Sequence, residues 1–374
     1  MQVVMAKPSL SVNTPKKLGY SMPAEWERHD AIWLSWPHDP ITFPDRVEKV
    51  EKTYCEIIKA LHENEKVNLL VKDSVMKKKA QGILKQCSVN PDEIAFHVYD
   101  YADVWFRDYG PIFLVNKKSG SLAMNHWIYN AWGGKYETLM KDTCIPEFIN
   151  RSMNIPCFTP GIVMEGGSID VNGKGTLLTT EQCLLNKNRN PHLNKSEIEE
   201  YLMEYFGVTN IIWLKNGIEG DDTDGHIDDI ARFVNPTTVL CAYEENMHDV
   251  NHPVLHENYE ILLHAKDQNG NKLNVIKLPM PPHQRFWCGG MPGAIGDKEA
   301  RLPASYANFY IGNKAVLVPI FGHENDAKAL DIIQHQFSDR KVIGINCSDL
   351  VYGLGTLHCI SQQQPTADIR FLKL

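Results

Sequence analysis

Four short segments of this 374-residue chain set polar groups beside glycines: Arg107-Asp-Tyr-Gly110, Glu165-Gly-Gly-Ser168, Asp224-Gly-His-Ile-Asp228 and Gly353-Leu-Gly-Thr-Leu-His-Cys359. A cysteine thiolate is a strong nucleophile, and histidine is the usual general acid or base. A carboxylate beside the histidine fixes its tautomer and raises its basicity. If Cys359, His226, Asp108, Glu165 and Asp228 meet, several carboxylates surround one thiol. Negative neighbours disfavour the thiolate, so the set suits neither an anionic nor a neutral substrate. It suits a substrate that brings its own positive charge. A guanidinium is planar, always charged and paired bidentately by carboxylates, and its central carbon is an electrophile that a thiolate can attack.

Each residue alone has a duller reading. Cys359 can be a small buried hydrophobe. Asp108 can pair locally with Arg107. The run Asp221-Asp-Thr-Asp224 can be a solvated capping loop. Read as a strand, His226-x-Asp228 points both side chains to one face. That spacing also suits metal ligation, although no HExxH motif or paired cysteine completes such a site. What separates the set from chance is its placement in a repeated unit.

The elements recur in a fixed order. Ala31–Trp36 reads as a buried strand. Asp45–Leu61 carries apolar residues at helical spacing, and a strand at Val67–Val71, a helix at Ser74–Leu84 and a strand at Ile94–Val98 follow. A hairpin, a helix and a strand are then expected at 112–127, 137–149 and about Cys157. The same order is expected at 168–179, 196–206 and 211–214, with an Asn172-Gly173 turn in the hairpin. It returns at 227–243, 255–265 and 275–278, and again at 307–319, 327–337 and 342–345. The segment from Cys359 to Leu374 supplies the last extended pieces. A unit that cannot bury its own apolar face must stack on its neighbours. Closing the units into a ring leaves no open end, which predicts an α/β propeller with equivalent positions converging on the central axis. Glycines beside those positions permit close backbone approach.

Bulk properties narrow the class. A prior of about 150 residues per domain suggests two or three domains; the repeat replaces this with one closed domain, residues 1–374. Lys+Arg number 38 and Asp+Glu 46, a formal charge of −8. That balance speaks against a nucleic-acid partner and mildly for a cationic one. The nine cysteines include no CxxC pair and read as reduced cytoplasmic thiols, all but Cys359 structural. The N-terminus has no apolar signal region, and no run approaches the length of a membrane span.

With the segments Met22-Pro-Ala-Glu-Trp-Glu27, Trp33-Leu-Ser-Trp-Pro37, Asp103-Val-Trp-Phe-Arg-Asp-Tyr-Gly-Pro111, Glu165-Gly-Gly167, Thr223-Asp-Gly-His-Ile-Asp228, Ser305-Tyr-Ala-Asn-Phe-Tyr310 and Gly355-Thr-Leu-His-Cys-Ile-Ser-Gln362, the chain resembles the agmatine deiminase family of guanidino-modifying enzymes over nearly its whole length. The resemblance implies a five-bladed α/β propeller of ββαβ-type units. It implies hydrolysis of agmatine to N-carbamoylputrescine and ammonia in putrescine formation, with no metal and no cofactor. It implies Cys359 as nucleophile, His226 as general acid and base, and Asp108 and Asp228 as the guanidinium-holding pair. Glu165 would bond the substrate or His226, and Trp105 would line the pocket. Asp222 and Asp224 are candidates to draw the distal ammonium. Asn308 sits at the matching point of the fourth repeat, without an assigned role. Trp287 to Gly296, with Cys288 and Met291, reads as a pocket lid or a surface loop.

Two rivals share the core chemistry. An arginine or peptidyl-arginine deiminase needs a cation for the substrate carboxylate, and Arg107, Arg232 and Arg285 are candidates. An amidinotransferase passes the same covalent intermediate to an amine. A non-enzymatic propeller is the remaining class. The sequence leaves the oligomeric state open, a homodimer included.

Overall fold

The computed structural model describes residues 10–283, 285–287, 299–368 and 370–371. Among them are five sheets of the same design, each with an antiparallel pair followed by a parallel one. Strand Gln362–Pro365, near the C-terminus, pairs antiparallel with His29–Ser35, which pairs parallel with Lys66–Val71. Ile94–Val98 adds a further parallel strand to this first blade. The second blade is Ile112–Asn116, Ser121–Asn125 and Cys157–Phe158. The third is Asp170–Val171, Thr176–Thr180 and Asn210–Leu214. The fourth is Ala231–Asn235, Thr238–Tyr243 and Asn274–Pro279. The fifth is Tyr310–Ile311, Ala315–Ile320 and Lys341–Asn346. The first blade thus joins the two ends of the chain, so the propeller closes on itself.

Each parallel pair requires a crossover, and a helix supplies it. Val47–Leu61 buries Val50, Tyr54, Ile57, Ile58 and Leu61, one apolar stripe at helical spacing. Asn194 caps Lys195–Phe206 through a capping box with Glu197, and Gly207 ends that helix at φ +69°. Asn251–His264 and Glu324–Gln334 cross over in the fourth and fifth blades. Middle strands lie between helices and neighbouring blades, so both faces are covered. Thr238–Tyr243 is buried along its whole length, which explains its unbroken Val-Leu-Cys-Ala-Tyr run.

The strand beginnings depart from expectation in a consistent way. Extended structure was expected from Ser168, Ile227 and Ala307, but the innermost strands start at Asp170, Ala231 and Tyr310. Ser168 ends a single turn, Gly166–Ser168. Ile227–Asp229 is likewise a tight turn, so strand alternation does not place His226 and Asp228. The Asp221 carboxylate accepts the backbone N–H groups of Thr223, Gly225 and His226, which curls the chain there. The helix expected over 137–149 divides into a tighter run, Glu137–Cys144, and an α-helix, Ile145–Met153, with Pro146 in its first turn.

A short antiparallel pair, Arg285–Trp287 with Glu299–Arg301, stands between the fourth and fifth blades in sequence. The stretch read as lid or loop lies, beyond Trp287, outside the described residues. Among the described residues no helix is long and apolar enough to cross a membrane.

Candidate active site

Every blade presents the turn before its innermost strand to the ring axis. Asp108 lies on a one-turn helix, Phe106–Tyr109, before Ile112. Glu165 precedes the turn Gly166–Ser168. His226 precedes the turn that carries Asp228. Asn308 comes just before Tyr310, and Cys359 before Gln362. All six side chains are buried. Residues from distant parts of the chain therefore share one small volume.

Gly167 shows how closely they meet. A Cβ built on it would sit 2.5 Å from His226 Nδ1, 2.9 Å from Asp108 Oδ1 and 3.1 Å from Asp228 Oδ2. The glycine pair therefore serves close approach, as its position beside Glu165 suggests. His226 stands between two carboxylates, with Nδ1 3.7 Å from Asp108 Oδ1 and Nε2 3.8 Å from Glu165 Oε2. These are ion-pair distances, too long for hydrogen bonds. Both His226 nitrogens and Asp228 Oδ1 are buried without a protein hydrogen-bond partner. Buried polar atoms are normally satisfied, so these three mark where a ligand's polar groups fit.

The carboxylates are held from behind. Asp108 accepts the Gly167 N–H at 3.0 Å and the Trp132 Nε1–H at 2.9 Å. It makes no local pair with Arg107, whose guanidinium turns away to the His358 carbonyl and Gln363. Glu165 Oε1 accepts from Arg189 Nε at 2.7 Å, with both side chains fully buried. Asp228 Oδ2 contacts His358 Nδ1 at 2.8 Å and lies 3.7 Å from Cys359 Sγ. The Asn308 amide donates to Cys359 Sγ at 3.1 Å. Its Oδ1 accepts from Thr356 Oγ1 and from the backbone N–H of His358.

The electrostatics follow from this packing. Burial pushes the Cys359 thiol well above its ordinary pKa, and the charges of Asp228, Asp229 and Asp108 push the same way. Burial also raises Asp108 to about 6, against the His226 charge and together with those of Asp228 and Glu165. Burial would lower His226, but Asp108, Cys183 and Glu165 hold it well above the usual imidazole range. Burial would raise Glu165, but Arg189 and His226 bring it below the usual carboxylate range. The site is an acidic box that favours imidazolium over thiolate.

The remaining expected residues lie around this box. Trp105 is buried against the Cys359 loop: a Cβ on Gly355 would sit 2.5 Å from its ring and 3.2 Å from Cys359 Sγ. Its indole N–H donates to Asp103. Asp224, at φ +67°, already pairs with Arg189 at 2.6 Å and Lys135 at 2.9 Å. Asp222 is half-buried and accepts from Tyr136 Oη at 2.5 Å. The Tyr136 ring meets that of Trp132 edge-on, 5.8 Å between centroids.

Several neighbours escaped the sequence. Arg189 sits in a segment with no chemical motif. Cys183, read as structural, places its Sγ 4.0 Å from Glu165 Oε2. His358 and Glu25 lay within quoted segments but drew no role. Only Asn308 carried a signal, its matching position in the repeat. Two donor groups, Glu165/Cys183/His226 and Asp228/Asp229/Cys359, each fall within 4.8 Å and are compact enough to share an ion. Both consist largely of the groups that would handle a guanidinium.

Residues 21–365 match the family described as Porphyromonas-type peptidyl-arginine deiminase. A protein of Legionella pneumophila, provisionally named an agmatine deiminase, is 38% identical over 95% of this chain and 98% of its own. The structure of the Enterococcus faecalis agmatine deiminase superposes with a TM-score of 0.88 at 34% identity, covering 97% of this chain and 100% of the other. A substrate-bound cysteine-to-serine variant of the C. jejuni agmatine deiminase superposes with a TM-score of 0.79 at 30% identity, covering 92% of this chain and 96% of the other.

Proposed function

The chain belongs to the Porphyromonas-type peptidyl-arginine deiminase family, and from that premise we infer that it is a hydrolase converting agmatine and water to N-carbamoylputrescine and ammonia. The product lies on a route to putrescine. The observation that carries the reading is the meeting of Cys359, His226, Asp108, Glu165 and Asp228 with the unpartnered His226 nitrogens and Asp228 Oδ1. The five blades act as one catalytic domain. The eight described cysteines, all free thiols, support a reducing, cytoplasmic setting.

The guanidinium docks between Asp108 and Asp228. Its charge offsets the carboxylates that hold the Cys359 thiol up, and the Asn308 N–H supports the thiolate. The sulfur adds to the guanidinium carbon. His226, cationic between Asp108 and Glu165, gives its proton to the departing nitrogen, and ammonia leaves a covalent thiouronium. Neutral His226 then takes a proton from water, whose oxygen bonds the same carbon. Collapse breaks the C–S bond, returns the thiolate and releases the ureido product. Glu165 keeps His226 oriented through both transfers.

The pH profile of kcat/KM tests the charge assignments. With Asp108 at about 6, activity is present above that pH and is lost as pH falls through it, because the protonated carboxyl no longer pairs with the guanidinium. With His226 held high, activity persists past neutrality and is lost as the imidazolium deprotonates at higher pH. A profile flat through pH 6 contradicts the role of Asp108.

Two aspartates were candidates for the distal ammonium. Asp224 is already neutralised by Arg189 and Lys135. Asp222 lies behind the Trp132–Tyr136 wall that begins at Asp108, the direction a tetramethylene chain would follow. Asp222→Asn is expected to raise KM for agmatine about tenfold and to leave turnover of a short alkylguanidine unchanged. Equal losses on both substrates would remove Asp222 from this role.

The arginine alternative needs a free cation near the distal end. Arg232 is fully buried and tied to Glu25, Asp170 and the Phe309 carbonyl, and Arg107 is likewise buried. The side chain of Arg285 lies outside the described residues. Ammonia release from agmatine, arginine and a blocked arginine peptide, measured side by side, is the deciding assay. Agmatine is expected to lead in kcat/KM by at least about 100-fold; preference for either other substrate overturns the reading.

A further inference from the structure

Behind Asp228 lies a buried chain of polar groups that the reaction scheme leaves unused. His358, next to the nucleophile in sequence, contacts Asp228 Oδ2 through Nδ1 at 2.8 Å and Glu25 Oε2 through Nε2 at 2.9 Å. Glu25 comes from the N-terminal segment, 333 positions away. It is pinned in turn, accepting from Arg232 Nη2 at 2.7 Å and from the Ile311 N–H at 2.7 Å. His358 is also fixed by its backbone, which donates to Asn308 Oδ1 at 3.0 Å. All three titratable side chains are at least nine-tenths buried.

A ring nitrogen approaches a carboxylate oxygen this closely only across a proton. Both contacts are at hydrogen-bond distance, which ties the three groups into one rigid unit. Asp228 Oδ2 is committed to this unit, which fixes the carboxylate plane. Its Oδ1 is left buried and without a protein partner, while Oδ2 also lies 3.7 Å from Cys359 Sγ. A carboxylate held in one plane presents that oxygen to a planar cation at no reorganisation cost.

We propose that His358, backed by Glu25, is a positioning residue that holds the Asp228 carboxylate in the one orientation that receives the guanidinium. The proposal rests on the guanidine-hydrolase reading above and gives the Met22–Glu27 segment a task at the reaction centre. His358 acts through Asp228 and does not touch the substrate.

Two polar substitutions separate the two contacts. In His358→Asn the amide nitrogen falls near the place of Nδ1 and keeps the Asp228 contact. In His358→Gln it falls near the place of Nε2 and keeps only the Glu25 contact. The readout is the rate of Cys359 alkylation by cationic 2-chloroacetamidine divided by that for neutral iodoacetamide, with kcat/KM on agmatine alongside. Loss of one charge-assisted hydrogen bond predicts that the ratio falls at least about tenfold in H358Q and stays within about threefold of wild type in H358N. A merely structural role slows both reagents together and leaves the ratio unchanged. A wild-type ratio in H358Q, an equal fall in H358N, or no preference for the cationic reagent in the wild type overturns the proposal. Should H358Q not fold, Glu25→Gln takes its place: the ratio is expected to fall at least about threefold, and an unchanged ratio again overturns the idea. Wild-type protein that prefers the cationic reagent yet releases no ammonia from agmatine refutes the substrate assignment, and the alkylation ratio still decides the positioning role.

Discussion

Cys359→Ala is expected to lower ammonia release from agmatine by at least about 10⁴-fold, because the scheme has no second nucleophile to replace the sulfur. The fold should tolerate the change. The side chain is small, and losing one buried atom costs about 1 kcal/mol. Two features make the result specific to this cysteine. Burial and the charges of Asp228, Asp229 and Asp108 hold its thiol protonated in the free protein. A guanidinium between Asp108 and Asp228 reverses that balance, so a cationic haloamidine should label Cys359 far faster than a neutral haloacetamide does. Cys183, 4.0 Å from Glu165, is the other thiol beside His226 and should stay unlabelled. Intact-protein and peptide mass spectrometry decides the matter. Near-wild-type turnover in the alanine variant, or an adduct on Cys183 in place of Cys359, sinks the mechanism.

Gly167→Ala should be nearly as damaging, although alanine carries no reactive group. The backbone there is not left-handed, so the residue's conformation is open to alanine. The obstacle is space. The new methyl group would lie 2.5 Å from His226 Nδ1 and 2.9 Å from Asp108 Oδ1, inside contact distance of both. It would occupy the volume that the proposed scheme gives to the guanidinium nitrogens between Asp108 and Asp228. Misplacing reacting groups by about 1 Å costs about 100-fold in rate, and loss of substrate room adds to that. We expect kcat/KM to fall by at least about 10³-fold and stability by about 1–3 kcal/mol from overpacking. Thermal melting and steady-state kinetics on the same preparation separate the two effects. Activity within about tenfold of wild type would show that the turn shifts freely, and that Gly167 does not set the approach of His226 to Asp108.

The unit order was legible because helices and strands write their period into the chain. Apolar spacing located the helices Val47–Leu61 and Lys195–Phe206 to within two residues. The strand Ile94–Val98 matched its expected bounds, and the hairpin expected over 227–243 ends at Tyr243 as expected. The turns before the innermost strands were misjudged as strand. At Ser168, Ile227 and Ala307 what bends the chain is an oxygen a few positions earlier: the Glu165 carbonyl, the Asp221 carboxylate and the Ser305 hydroxyl. His226 and Asp228 meet as expected, but for a different reason: a turn folds them together.

The sequence by itself determined the chemistry on offer. A thiol, an imidazole and several carboxylates beside glycines, at equivalent places in a repeated unit, required a cationic electrophile and a ring to gather them. Those inferences rest on residue type and on local period, which a linear chain carries openly. Only the tertiary structure decided how each group is charged and aimed. Arg189 neutralises Glu165 and Asp224, Asn308 reaches the sulfur, and the Glu25–His358 pair holds Asp228. Arg189–Asp224 and Asn308–Cys359 cross between blades, Arg189–Glu165 lies within the third, and Glu25–His358 joins the two ends of the chain at the first. No periodicity records such a contact, because it exists only once the chain has folded. Burial then turns those contacts into shifted protonation states, since a buried charge is set by its few near neighbours and a solvated one by water.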